Sequence, residues 1–153
     1  MRQRRLASTL FLQNHGDRTM TATARTQGAH HIGLTVPDLP EASGFFINAL
    51  GFEKVGEVPE YPAEFVSDGS TMITLWQAED PGSATAFDRR RNLGLHHLAL
   101  RVGSDDTLNE LAGELRERRD CTVEFDPEGL GKSGLRHMMI RIPGNIRVEL
   151  IAV

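Results

Sequence analysis

Two stretches of the chain are nearly the same: residues 30–36 read HHIGLTV and residues 96–102 read HHLALRV. Each begins with a histidine pair and continues with a large apolar residue at every second position. Because side chains alternate between the two faces of a β-strand, this pattern predicts a strand with one face in a core. Residues 69–75 (GSTMITL) and 144–150 (GNIRVEL) also match each other. The chain is therefore expected to contain one structural unit twice.

The predicted elements occur in the same order in both copies, as a strand, a helix and three strands. Module one covers residues 29–77, with a strand over 29–36, a helix over 39–50 and strands over 52–58, 63–67 and 71–77. A polar linker over 78–92 precedes module two, residues 93–153, with a strand over 94–102, a helix over 105–119 and strands over 122–126, 135–142 and 146–153. The fold class is thus α+β: two tandem βαβββ modules that form a curved mixed sheet around a cleft.

Composition restricts the classes of partner. A net charge of −4 gives no general attraction for nucleic acid or for an anionic membrane, so a small molecule is the expected partner. No stretch approaches the ~20 apolar residues that cross a bilayer. The single cysteine, Cys121, cannot form an internal disulfide, which favours the cytoplasm. Residues 1–28 are interpreted as a disordered tail, and the Arg89-Arg90-Arg91 run as solvated surface rather than an anion site.

Strand parity separates the two histidines of each pair. His31 shares a strand face with Gly33 and Thr35, away from the apolar residues, and His97 does the same in the second copy. His30 and His96 fall on the apolar side and are interpreted as structural. In the last strand, Glu149 lies on the face opposite the core, and its counterpart in module one is Thr74.

Two imidazoles and a carboxylate on facing sheets suggest a metal site. If the two sheets share one interior, His31, His97 and Glu149 converge there. Such a ligand set suits a divalent first-row ion, here Fe, Mn, Ni, Co or Zn, and leaves positions for water or substrate. The cleft between the modules is thus predicted to bind a metal.

The motifs HHIGLTVPDL, FFINALGF, GLHHLALRV and PGNIRVELI resemble the vicinal oxygen chelate superfamily, which includes glyoxalase I, extradiol dioxygenases and bleomycin-resistance proteins. The resemblance covers residues 29–153. It implies paired βαβββ modules around a metal that is chelated by substrate oxygens, with ligands at His31, His97 and Glu149. Glyoxalase I and methylmalonyl-CoA epimerase carry a fourth ligand where this chain has Thr74.

Three functions stay open. The first is a glyoxalase-like metalloenzyme with isomerase or lyase chemistry, in which Glu149 assists proton movement while Thr74, Trp76 and Arg101 contact the substrate. The second is an extradiol-type iron dioxygenase with the same ligands. The third is a drug- or metabolite-binding resistance protein. A homodimer is an open expectation for each of them.

Overall fold

The computed structural model describes residues 25–153 and contains both predicted modules. Module one consists of β1 (Ile32–Val36), α1 (Leu39–Leu50), β2 (Glu53–Val58), β3 (Ala63–Ser67) and β4 (Met72–Gln77). Module two consists of β5 (Leu98–Val102), α2 (Asp105–Arg116), β6 (Thr122–Gly129), β7 (Arg136–Ile142) and β8 (Ile146–Ala152), with one 3-10 turn at Pro143–Asn145. Most of the predicted tail, residues 1–24, lies outside the described residues.

The two modules form two four-stranded mixed sheets with the same strand order. The first sheet is ordered β1-β4-β3-β2 and the second β5-β8-β7-β6. In each sheet the module's first and last strands pair in parallel, and the other neighbours are antiparallel. Gly33 lies opposite Thr74 in the first sheet, and Ala99 lies opposite Glu149 in the second. The internal repeat and the α+β class are therefore confirmed in the register of the sheets.

Each helix begins at a side-chain cap that satisfies a free backbone N–H. The Asp38 carboxylate accepts a hydrogen bond from the Glu41 N–H at 2.8 Å, and the Ser104 hydroxyl accepts one from the Thr107 N–H at 3.1 Å. The first helix ends at Gly51, whose φ of 72° lies in the left-handed region. Among residues 25–153, no helix is long and apolar enough to cross a membrane.

One hydrophobic core joins the two modules. Its buried members come from both sheets and both helices, including Phe45 and Phe46 of α1 and Leu108 and Leu115 of α2. The guanidinium of Arg118, which follows α2, lies 5.6 Å from the centre of the Phe45 ring. Burial of a common core therefore fixes the position of one sheet relative to the other.

Four element ends differ from the prediction by more than a residue or two. β1 begins at Ile32 instead of residue 29, β5 at Leu98 instead of residue 94, and β6 continues to Gly129 beyond residue 126. The sheet ladder explains the first difference, because β4 begins at Met72 and its register with β1 starts at Ile32. The second helix ends at Arg116 rather than 119, and Arg118 pairs with Asp120 at 2.6 Å instead of extending the helix.

Candidate active site

Three side chains meet on one face of the second sheet. Glu149 lies on β8, between β5 and β7. The backbone register sets Glu149 opposite Ala99 on one side and opposite Met139 on the other. His97 lies two residues before Ala99, and His137 lies two residues before Met139. Because side chains two residues apart share a strand face, both imidazoles lie on the face that carries Glu149.

The Glu149 carboxylate is held between the two imidazoles. Its Oε2 lies 3.1 Å from Nε2 of His97, and its Oε1 is hydrogen-bonded with Nδ1 of His137. Glu149 is only 7% exposed, so the carboxylate depends on these partners for the hydrogen bonds that water would supply elsewhere. The three groups form an acid–base cluster, buried at Glu149 and His137 and open to solvent at His97, that can accept, hold and return a proton.

The two histidine pairs make the same local contact. Nδ1 of His30 lies 2.9 Å from Nδ1 of His31, and Nδ1 of His96 lies 2.8 Å from Nδ1 of His97. In each pair the ring centres are 5.2 Å apart. In the second pair this contact uses Nδ1 of His97, while Nε2 meets Glu149. His96 therefore helps to orient the His97 ring through Nδ1, which is consistent with the structural role expected for His96.

The corresponding face of the first sheet is aromatic. The indole Nε1–H of Trp76 donates a hydrogen bond to Oγ1 of Thr74 at 2.9 Å, and Thr74 is 3% exposed. The rings of Phe65 and Tyr61 lie 5.9 and 5.4 Å from Trp76, measured between centres. A Cβ at Gly33 would lie 3.4 Å from Thr74 Oγ1, so this glycine leaves the hydroxyl space on that side. Thr74 and Trp76 therefore belong to one aromatic cluster that has a hydroxyl group beside it.

Among residues 25–153, two other predicted site residues, His31 and Arg101, make no hydrogen bond or ion pair with the Glu149 cluster. His31 is exposed immediately before β1 and contacts His30, while Arg101 is exposed on β5. Within residues 25–153, no three His, Cys, Asp or Glu side chains are arranged to hold a metal ion. His97 and Glu149 nevertheless supply adjacent nitrogen and oxygen donors of the types that divalent ions bind. The donor chemistry thus fits a metal at this pair, whereas the contact of His31 with the pair stays a prediction.

His137 is the member of the cluster that strand parity did not assign. It is 13% exposed at its side chain, its ring centre lies 5.1 Å from that of Phe125, and its Nε2 lies 3.9 Å from Glu128. The register between β6 and β7 shifts on both sides of Phe125. Such bulges hide strand parity in a sequence, although the position of His137 on β7 relative to β8 would have identified its face.

Comparisons with known proteins agree with this architecture. Residues 28–150 match the family model described as the Glyoxalase/Bleomycin resistance protein/Dioxygenase superfamily. The chain belongs to this superfamily. A member from Bacillus subtilis, the uncharacterized protein YwkD, is 31% identical over 126 residues, covering 79% of this chain and 93% of that protein. This match and the family model include both modules of the chain.

Two further similar proteins are a curated enzyme and a solved structure. The mitochondrial methylmalonyl-CoA epimerase of Bos taurus is 33% identical over 97 residues, which cover 59% of this chain and 53% of the epimerase. The glyoxylase/bleomycin resistance protein/dioxygenase domain from Frankia sp. superposes with a TM-score of 0.70 at 24% identity, covering 83% of this chain and 92% of that one. The second likeness supports the fold alone.

Proposed function

We propose that this protein is a divalent-metal-dependent isomerase of the epimerase type, acting on a small substrate with two neighbouring oxygen atoms. The observation that carries the proposal is the buried Glu149 carboxylate between His97 and His137. An epimerase removes and returns a proton at carbon, and the Glu149 carboxylate with the His137 imidazole provides groups for that transfer. The similarity to the bovine epimerase supports the same reaction class.

In this proposal His31, His97 and Glu149 hold the metal. When bound, a divalent ion polarises a substrate carbonyl and so acidifies the neighbouring carbon. His96 holds the ring of His97 through Nδ1. His137 holds the second carboxylate oxygen of Glu149 through Nδ1, and Glu128 on the edge strand β6 lies 3.9 Å from its Nε2. This assignment gives His137 the acid–base role that Thr74 cannot fill with a hydroxyl.

The remaining predicted residues contact the substrate in this proposal. Trp76 offers an apolar ring beside the Thr74 hydroxyl, and the hydrogen bond between them fixes the orientation of the ring. Arg101 is exposed on the strand that follows His97 and can meet an anionic substrate group at the rim. The substrate and the metal together complete a site that the side chains form only in part.

Metal binding is tested with neighbouring histidines as matched controls. Purified protein is stripped of metal and titrated with Co²⁺, whose visible absorption spectrum reports nitrogen and oxygen ligands. We expect stoichiometric binding, weakened by at least about tenfold in His97→Ala, His31→Ala and Glu149→Gln. His96→Ala and His30→Ala should change affinity by less, because these residues only orient a ligand. Equal losses in all five variants would contradict the assignment, and an absence of Co²⁺ binding would remove the metal from the proposal.

The reaction is tested by solvent exchange. Metal-loaded protein is incubated in D2O with methylmalonyl-CoA, and the recovered thioester is analysed for deuterium at the carbon between its carbonyl groups. Incorporation that is lost in His137→Asn, with Co²⁺ binding retained, supports the proposed proton transfer. Consumption of oxygen with a catechol would instead assign the dioxygenase reaction. Tight binding of methylmalonyl-CoA without exchange would assign a binding protein.

A further inference from the structure

A second polar site lies between the linker and the second sheet. A pocket of ≈ 720 Å³, here called the linker pocket, is bounded by residues 85–92 on one side and by Glu124, Arg141, Asn145 and Arg147 on the other. The Asn145 side-chain amide donates a hydrogen bond to the Phe87 carbonyl at 2.8 Å. This bond attaches the linker to the turn between β7 and β8, so the pocket has a fixed wall. None of its residues belongs to the Glu149 cluster.

The linker pocket has a large excess of positive charge. Five arginines line it, against the two carboxylates Asp88 and Glu124, which gives a formal excess of three positive charges: Arg89, Arg90, Arg91, Arg141 and Arg147. The Arg89 side chain is 35% exposed and its Nη1 lies 3.5 Å from Glu124 Oε2. The expectation that the whole arginine run is solvated surface is therefore wrong for Arg89, because this residue faces Glu124 across the pocket.

The arginines have more donors than Glu124 can satisfy. Arg147 is 9% exposed at its side chain and donates through Nε and Nη2 to Glu124 Oε2, at 3.0 and 2.9 Å. Within residues 25–153, its Nη1 is buried without a hydrogen-bond partner, and Nε of Arg141 is also unpartnered, although it lies 3.4 Å from Glu124 Oε1. Unsatisfied buried donors of charged groups are costly, and an additional acceptor would remove that cost.

The pKa of Glu124 agrees with this excess of positive charge. Burial alone would raise the pKa of Glu124, but its hydrogen bond with Arg147 and the charges of Arg147, Arg89 and Arg141 outweigh burial and lower the pKa below its ordinary value.

We propose that the linker pocket binds an oxyanion, a phosphate or a carboxylate, through Arg89, Arg141 and Arg147. Guanidinium groups match both anions in charge and in hydrogen-bond geometry. Arg147 lies two residues before Glu149 on the same strand face, about 7 Å along β8. A substrate whose reacting end lies at Glu149 can therefore extend its anionic group into the pocket. This last step rests on the proposed function, whereas anion binding itself does not.

The test measures anion binding without metal and without turnover. Calorimetric titrations of the full chain with inorganic phosphate and with malonate, at constant ionic strength, should show saturable binding of one anion with a Kd near or below about 1 mM. Arg89→Gln and Arg141→Gln should each weaken binding by about tenfold. The control Arg116→Gln should leave it unchanged, because Arg116 pairs with Asp126 on α2 and β6, outside the pocket.

A variant of opposite sign separates a binding site from a purely structural ion-pair network. Glu124→Gln removes the carboxylate that competes for the arginines, so it should bind the anion more tightly than the unaltered chain, and the anion should raise its Tm by more. Binding of phosphate alone assigns a phosphate-bearing ligand, and binding of malonate alone assigns a carboxylate. If neither anion binds, or if Arg116→Gln weakens binding as much as Arg89→Gln does, the inference is wrong, even where the Co²⁺ and exchange experiments succeed.

Discussion

At the scale of single residues, Glu124 shows how an acidic side chain becomes dependent on its partners. It is 16% exposed at its side chain and faces Arg147, Arg141 and Arg89. The hydrogen bond to Arg147 is the shortest of these contacts, and Arg147 is the most buried of the three arginines. Charge-assisted hydrogen bonds between such groups are stronger than those on the surface, and removing one partner leaves the other charge buried.

The lowered pKa of Glu124 predicts a dependence of stability on pH. Because the pKa is lower in the folded protein than its ordinary value of 4.5, the ionised form stabilises the fold above about that pH. This contribution is lost as the pH falls through the folded-state pKa. Glu124→Gln should therefore lower the free energy of unfolding by about 2 kcal/mol near pH 7, and the difference should shrink as the pH falls below the ordinary pKa of 4.5. Urea unfolding of both proteins across this range measures it.

A surface carboxylate provides the control for Glu124. Asp126 is 63% exposed at its side chain and pairs with Arg116 at 2.7 Å. Exposed ion pairs contribute little, so Asp126→Asn should change the free energy of unfolding by less than about 0.5 kcal/mol at every pH. A difference between Glu124→Gln and the unaltered chain that stays constant from neutral to acid pH would contradict the role given to the ionised carboxylate.

At the scale of elements, the first helix illustrates how a glycine can be required at one position and costly at another. Gly51 ends α1 with a φ of 72°, and its N–H bonds to the Phe46 carbonyl. Gly44 lies inside the same helix, where a Cβ would only meet the Asn48 side chain at 3.6 Å. The two positions therefore place opposite demands on the backbone.

Alanine at these two glycines should have opposite effects. Gly51→Ala forces an L side chain into the left-handed region and should cost about 1 kcal/mol of unfolding free energy. Gly44→Ala should increase stability by about 0.5 to 1 kcal/mol, because alanine is the better residue inside a helix. Urea unfolding monitored by circular dichroism compares them. Destabilisation by both changes to the same extent would show that helix ends do not govern their effects.

Period-2 alternation predicted the strands well because it reports burial directly. Leu34 and Val36 are buried while Gly33 and Thr35 are exposed, as alternation requires. The same rule placed His97 and Glu149 on one face, and their contact agrees with it. Alternation did not predict that β8 is buried on both faces, with Glu149 only 7% exposed. The side chains that cover the Glu149 face come from other parts of the chain.

Partners from different elements were harder to predict. The contact of His137 with Glu149 depends on a strand whose register with β6 contains bulges. The pairing of Arg147 with Glu124 joins residues 23 positions apart in the chain, and no local pattern relates them. Sequence periodicity describes which face a residue occupies, whereas such pairs depend on the distance between strands and on the path of the linker. This is why the linker pocket required a structure.

At the scale of the whole molecule, two equivalent turns of the repeat have different surroundings, and only the turn of module two closely approaches the other module at its glycine. Gly144, in the turn before β8, has a φ of 82°, and a Cβ there would lie 2.9 Å from Cδ of Pro37, in the turn between β1 and α1. Its counterpart in module one, Gly69, has a φ of 87°, and a Cβ there would meet no atom of residues 25–153 within 4 Å. The repeat thus supplies a natural pair with equal backbone demands and unequal contacts.

Comparison of Gly144→Ala with Gly69→Ala isolates the contact between the modules. Both changes strain a left-handed residue and should each cost about 1 kcal/mol of unfolding free energy. Gly144→Ala should cost about 1 to 3 kcal/mol more, because its methyl group meets the Pro37 ring and pushes module two away from module one. Urea unfolding measures the difference in unfolding free energy between the two variants. Co²⁺ affinity gives a second measure. In the proposed site His31 of one module and His97 and Glu149 of the other share the metal, so only Gly144→Ala should bind Co²⁺ more weakly. Equal losses of unfolding free energy in the two variants would mean that the Gly144 turn accommodates the methyl group without moving the modules apart.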